Sequence, residues 1–488
     1  MKNIATTALP DSVQLPTYDR QALRSRIVHF GFGAFHRAHQ ALLTDRVLNA
    51  RGGDWGICEI SLFSGDVLMA QLREQDHLFT VLEKGAEGNQ AIVVGAVHEC
   101  LNARLDSLAA IIEKFCEPQV AIVSLTITEK GYCIDPATGS LDVNQPRIIH
   151  DLENPTEPHS APGILVEALH RRRERGLSPF TVLSCDNIPD NGHVVKHAVL
   201  GMASKRSPEL ATWIADNVSF PGTMVDRIVP AATDESLAEI EAVLGVADPC
   251  AISCEPFIQW VVEDNFVAGR PEWEAAGVQM VENVLPWEQM KLRMLNGSHS
   301  FLAWLGYLAG FQHISDCMQD EAYRHAARRL MLEEQAPTLS ITGVDLNAYA
   351  DSLTERFSNP ALKHRTWQIA MDGSQKLPQR MLDGIRIHLA RHTNWPLLAL
   401  GVAGWMRYVS GTDDAGQAID VRDPLADKIR TLVDNSTESD RVSALLTLSE
   451  IFGADLPRNT QFVAAVDHTW QKLCTLGARQ ALISTLNL

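Results

Sequence analysis

The chain has 488 residues, with 42 Lys and Arg against 60 Asp and Glu, so its formal charge is −18. At about 100–200 residues per domain, that length predicts two to four domains. Hydrophobic residues at 45% and charged residues at 21% are globular values that exclude a disordered chain. The acidic balance argues against a nucleic-acid partner, because a phosphate backbone is repelled unless cations are gathered at one place.

The nine cysteines are scattered and include no CxxC pair. That predicts reduced thiols rather than a disulfide framework or zinc ribbon. The N-terminal Met-Lys-Asn-Ile-Ala-Thr-Thr lacks the apolar run of a signal peptide. The longest stretch free of Asp, Glu, Lys and Arg, 294–315, carries Asn296, His299, Gln312 and His313, which unsuits it to lipid. The expectation is a cytoplasmic protein with no membrane contact.

In chain order, 26–30 reads as a short buried strand stopped by Gly31. A helix over 34–48 follows, closed by Gly52-Gly53. Further strands are expected at 55–63, 78–82, 120–126 and 180–185. Helices are expected at 66–75, 105–115 and 163–173. This alternation predicts an α/β fold with a doubly wound, Rossmann-type sheet. The segment 134–162, rich in Pro, Asn, Asp and Ser, reads as an excursion with little structure of its own. After Pro286 the 3.6-residue period dominates, over 287–310, 320–336, 346–357, 382–392, 395–409, 427–436 and 440–452. The expected organisation is a Rossmann-type NAD-binding domain over 1–285 and a mostly α-helical substrate or catalytic domain over 286–488.

The first chemical segment is Ile27-Val28-His29-Phe30 running into Gly31-Phe32-Gly33-Ala34-Phe35-His36-Arg37-Ala38. After a strand and before a helix, two glycines permit a tight turn and close approach to a pyrophosphate. The helix start supplies free N–H groups. His36 replaces the third glycine of the usual fingerprint, and an ordinary tight turn fits the same pattern. Asp66, beyond the second strand, is the candidate for the ribose 2′-hydroxyl. It fits a helix N-cap equally well.

Two segments end later strands: Ser124–Tyr132 (SLTITEKGY) and Ser184–Gly192 (SCDNIPDNG). Ligands of open α/β sheets sit at such ends, so Asp186 and Asn187 would lie beside the cofactor crevice. Pro-Asp-Asn-Gly is also plain turn chemistry. The fourth segment, 287–299, carries Lys291, Asn296 and His299. At ~100° per residue these three fall within an arc of roughly 140°, among leucines. A lysine in an apolar cleft can become a general acid/base, an Asn can donate to a developing oxyanion, and a His can add an orienting bond. An amphipathic helix with a snorkelling lysine fits the same spacing. No Cys, His or carboxylate set stands at metal-ligand spacing around His36 and His39, and HExxH and GxSxG are absent.

Together these segments resemble the long-chain mannitol dehydrogenase family of metal-independent polyol and hexuronate dehydrogenases. The matching pieces are GFGAFHRAHQ at 31–40, SLTITEKGY at 124–132, SCDNIPDNG at 184–192, FPGTMVDRIVP at 220–230 and KLRMLNGSH at 291–299. HRTWQIAMDGSQKLPQR at 364–380 and LALGVAGWMRY at 398–408 resemble the fructuronate reductase (mannonate oxidoreductase) branch. The resemblance implies Lys291 as general acid/base, Asn187 and Asn296 as oxyanion donors, and His299 and Asp226 as substrate-orienting groups. It places Glu129 near the proton exit and implies NAD as cofactor without a metal. Polyol-specific members carry an Arg about where this chain has Gln368, which tells against a neutral fructose or mannitol.

The implied reaction is NAD-dependent interconversion of D-fructuronate and D-mannonate. Tagaturonate and altronate, or mannitol and arabinitol, are rival substrates, and a catalytically silent NAD sensor is the rival of another class. A carboxylate substrate wants local cations. His364, Arg365, Lys376 and Arg380 could supply them, with Arg365, Lys376 and Arg380 the densest cluster, Lys376 ranked first and Arg365 last, although a solvated basic face fits them too. Nothing in the sequence marks an oligomer surface.

Overall fold

A computed structural model describes residues 2–85, 88–135, 138–362 and 364–487. The chain divides into two compact units, 1–285 and 286–488.

The first unit is built on a five-stranded parallel sheet of Arg24–Phe30, Trp55–Ser61, Val97–Asn102, Ile122–Leu125 and Thr181–Ser184. Counted along the chain, their spatial order is third, second, first, fourth, fifth. That is the order of a dinucleotide-binding sheet, with its switch point between the first and fourth strands. The strands are apolar on both faces because helices cover both. Ile27, Ile57 and Ile122 face one core, while Val28, Cys58 and Val123 face the other.

Two smaller three-stranded sheets complete this unit, and of their strands only 78–82 was expected from the sequence. One joins Thr223–Asp226, Gln259–Glu263 and Gln279–Val281; the other joins Phe79–Gly85, Gly88–Val94 and Ile252–Cys254. The segment 134–162 is also better ordered than expected. It holds the helix Pro146–Glu153, opened by its proline. The buried Asp151 carboxylate fastens it by accepting from the His159 and Ser160 N–H groups and the Ser160 hydroxyl.

The second unit is helical around one core. Pro396–Val409 is buried on nearly every face, as a central helix must be. The helix expected over 440–452 is interrupted: Arg441–Leu445 and Ser449–Phe452 are separate, and the extended turn between them buries Leu448. Ile314–Gln319, Thr366–Ala370, Thr460–Leu476 and Ala478–Leu486 are helices the sequence pattern did not mark. Among the described residues no helix is long and apolar enough to cross a membrane.

Candidate active site

The first strand ends at Phe30, and Gly31 turns the chain at φ +107°. A Cβ on Gly31 would lie 2.3 Å from the Thr126 carbonyl oxygen, so only glycine fits beside the fourth strand's end. Gly33 is different. Its φ is −81°, and a Cβ there would meet only the Gly31 carbonyl oxygen, at 3.9 Å. The fold itself does not require glycine at 33, whereas a pyrophosphate lying against the loop does. Ala34 then opens the helix, which presents its N–H groups there.

The run 27–38 is not all ligand surface. Ile27, Val28, His29 and Phe30 are buried sheet residues that carry the loop. Phe32 is buried edge-on against Phe79. His36 is turned inward to the Glu59 carboxylate at 2.7 Å. Arg37 donates to the Cys250 and Gly33 carbonyls, and Ala38 is buried with its carbonyl taken by Arg227. Gly31, Gly33, Ala34 and Phe35 keep exposed surface. Asp66 is the first residue of the helix Asp66–Glu74, behind Gly65, and pairs with Arg104 at 3.2 Å. The N-cap position belongs to Gly65, whose φ is +73°.

His29, His36 and Glu59 bring three metal-capable atoms within 4.8 Å of one another, all buried. No spacing along the chain marks this group, which the pairing of strands assembles. The two imidazoles are stacked, with centroids 3.3 Å apart and planes 11° apart. Imidazole lone pairs lie in the ring plane, so two parallel rings do not aim at one ion. Both His29 nitrogens also bond, to Ser124, Thr126 and the Gly31 carbonyl.

At the fourth strand's end Thr128 adopts φ +64°, and exposed Glu129 starts a 3₁₀ turn. Asn187 is exposed just past the fifth strand. Asp186 beside it is buried and accepts from the Ile127 and Thr128 N–H groups and the Tyr132 hydroxyl. Burial raises its carboxyl above the ordinary range against these bonds. Asp226 is buried at the end of its strand.

Lys291, Asn296 and His299 lie on one continuous helical stretch, but not on a regular α-helix. Residues Lys291–Gly297 form a π-helical segment between Leu285–Met290 and Ser298–Leu308. Its i→i+5 bonding places Asn296 one wide turn from Lys291. Two further π segments, Leu330–Gln335 and Pro378–Leu382, pack against this one. A Cβ on Gly297 would lie 2.6 Å from Gln335 Nε2 and 2.9 Å from the Arg380 carbonyl oxygen, so glycine is what lets them approach. Lys291 is buried.

His299 stacks on Phe357 at 5.0 Å and tilts against His364 at 5.4 Å. Among the described residues its buried Nε2 has no hydrogen-bond partner. Burial, together with the nearby His364, Arg380, Arg356 and Lys376, holds its basicity well below the ordinary value. Burial also lowers His364 to about 4, Lys376 to about 8 and Arg380 to about 10. Arg380 donates to the Asn296 carbonyl at 3.2 Å and the Ser300 hydroxyl at 3.0 Å. Arg356, on the helix Leu346–Ser358, was missed by sequence reasoning because it lies in no motif. Arg365 is exposed and lines a cleft of about 440 Å³ with Tyr307, His313, Trp367 and Asp413. A larger groove of about 860 Å³, lined by Glu74, Asp234 and Glu241, holds none of these residues.

The family description "Mannitol dehydrogenase Rossmann domain" matches residues 25–275, and "Mannitol dehydrogenase C-terminal domain" matches 283–474. The chain is 79% identical over its full length, and that of its relative, to the uncharacterized oxidoreductase YeiQ of Escherichia coli K12. It is 58% identical over 99% of both chains to the D-mannonate oxidoreductase of the same organism. Among solved structures, Pseudomonas fluorescens mannitol 2-dehydrogenase, in a ternary complex with NAD and D-mannitol, superposes with a TM-score of 0.84 at 39% identity over 98% of both chains. The Rossmann-type sheet, the NAD cofactor and oxidoreductase chemistry on secondary alcohols follow from these matches. The chain is a member of the mannitol dehydrogenase family.

Proposed function

We propose that this enzyme interconverts D-fructuronate and D-mannonate. The observation that supports a carboxylate-bearing substrate is the charge around His299. The charges that act on it most strongly include three cations, Arg380, Arg356 and Lys376. In a chain of charge −18 such a gathering is a local anion site, since salt screens the distant acidic surface beyond ~8 Å. Among the described residues Arg380 Nε and His299 Nε2 are buried without hydrogen-bond partners, a cost that a ligand's oxygens would relieve. The 58% identity to a D-mannonate oxidoreductase points to the same substrate pair.

In this reading the 1–285 unit binds the cofactor and 286–488 supplies the acid/base. NADH, when bound, supplies hydride to the ketone carbon. Lys291 donates the proton to the carbonyl oxygen as charge develops on it, and in the reverse direction neutral Lys291 takes the alcohol proton. Asn187 and Asn296 donate amide N–H groups to that oxygen without changing protonation state. His299 and Asp226 orient the substrate, and Glu129 leads the proton to solvent. The ammonium and two amides do the work a Lewis acid does elsewhere.

NADH oxidation against D-fructuronate, D-tagaturonate and D-fructose, with NAD reduction against D-mannitol, tests the proposal. The expected order places D-fructuronate first in kcat/KM. D-tagaturonate in first place would reassign the epimer. Equal rates on D-fructose would refute the carboxylate requirement.

A further inference from the structure

We infer that Asp186 and Asn191, with Tyr132, are positioning residues for Asn187 and Asp226. Three segments carry the residues proposed in the first unit for the substrate side of the reaction: the turn with Glu129, the turn with Asn187, and the strand that ends in Asp226. One buried hydrogen-bond network ties all three together.

The Asp186 carboxylate reaches across to the first turn. It accepts from Thr128 N–H at 2.9 Å, from Ile127 N–H at 3.0 Å and from the Tyr132 hydroxyl. Tyr132 Oη also lies 2.7 Å from Ser184 Oγ on the fifth strand. Asn191 binds the other side. Its Nδ2 donates to the Asp186 carbonyl at 3.0 Å and to Thr223 Oγ1 at 2.9 Å, while its Oδ1 accepts from Thr223 N–H at 3.0 Å. The Thr223 hydroxyl donates to the Ser184 carbonyl at 2.7 Å. Thr223 begins the strand Thr223–Asp226. Beside it, a Cβ on Gly192 would lie 2.8 Å from Gly222 N and from the Phe220 carbonyl oxygen, so the two segments touch backbone to backbone.

All five polar residues are buried, Asp186 the most exposed at 8%. Exposed Asn187 thus follows a residue held through both its side chain and its carbonyl. Thr128 is kept at φ +64°, a conformation that needs support from its surroundings, and two of the Asp186 bonds supply it. An oxyanion donor works only when aimed, and a misplacement of about 1 Å can cost on the order of a hundredfold in rate. The network therefore acts through Asn187, without touching substrate.

This inference rests on the oxyanion role proposed for Asn187, so the test separates the two. Asp186→Asn, Tyr132→Phe and Asn187→Ala, and each of the first two combined with Asn187→Ala, are assayed on the ketose that wild type reduces fastest. NADH affinity is measured by fluorescence titration. We expect Asp186→Asn to lower kcat roughly tenfold to a hundredfold with NADH affinity within about twofold. Tyr132→Phe, the milder change, should lower kcat several-fold. Each should be non-additive with Asn187→Ala, because a misaimed amide that is already gone cannot be lost twice. Additive losses, or a slow Asn187→Ala beside fast Asp186→Asn and Tyr132→Phe, would overturn the positioning role alone. A fast Asn187→Ala would overturn the oxyanion role and the positioning role with it. If Asp186→Asn does not fold, Tyr132→Phe carries the same comparison.

Discussion

Lys376 and Arg380 stand four residues apart on one helical stretch and spend their charge differently. Lys376 Nζ donates to the Ile369 and Met371 carbonyls, whereas Arg380 keeps a buried Nε that has no partner among the described residues. The sequence ranked Lys376 first for the substrate carboxylate; the geometry favours Arg380. Arg380→Met should raise KM for D-fructuronate by the ~1.5–3 kcal/mol of a lost charge-assisted bond. Lys376→Met should cost less, and Arg365→Met should leave KM unchanged. Steady-state kinetics on the three variants check this order. Arg365→Met as the most damaging would refute it.

The same charges set a pH dependence. Burial lowers Lys376 to about 8, so its ammonium is present below that pH and is lost as pH rises through it. Arg380, although burial lowers it, keeps its guanidinium charge throughout this range. His364, at about 4, is neutral throughout the working range. The kcat/KM ratio of D-fructuronate to a neutral ketose should therefore shrink between pH 7 and pH 9.5. The ratio cancels the titration of the proton donor, which both substrates share. A constant ratio would mean that Lys376 does not sense the carboxylate.

The two loop glycines should fail in different ways. Gly31→Ala meets the Thr126 carbonyl and a positive φ, a backbone cost on the order of 1–2 kcal/mol before the clash is counted. It should lower Tm by several degrees. Gly33→Ala has room within the protein, so Tm should stay near wild type while NADH affinity falls at least tenfold. Thermal melts and NADH titration read the two effects. Unchanged NADH affinity in Gly33→Ala would move the pyrophosphate off this loop.

Cofactor choice should turn on Asp66. Its carboxylate opposes a 2′-phosphate, and its partner Arg104, 3.2 Å away, would welcome one. Asp66→Ser should raise the NADPH-to-NADH ratio of kcat/KM at least tenfold, and wild type should prefer NADH. Equal use of both cofactors by wild type would remove Asp66 from the ribose.

Four of the five central strands were legible because they are short apolar runs, and burial on both faces demands that composition. The remaining one, Val97–Asn102, was missed because His98 and Glu99 break its apolar run. Of the small sheets only 78–82 was expected, within the strand Phe79–Gly85, which pairs with Ile252–Cys254 far along the chain. The π turn at Lys291–Gly297 escaped a reading at 100° per residue, although the residues on it were found. The Asp186 network was invisible because it joins residues 59 apart, Ile127 and Asp186. Arg365, unlike Lys376 and Arg380, is exposed and lines a cleft with Tyr307 and Trp367, which nearness in sequence could not tell.

Lys291→Met tests the proton donor most directly. Turnover of D-fructuronate should fall at least a thousandfold, within the range of about 10²–10⁴ for a general acid, while NADH binds within about twofold of wild type. A variant that keeps turnover within about tenfold, a barrier change of ~1.4 kcal/mol, would contradict Lys291 as the group that protonates the carbonyl oxygen.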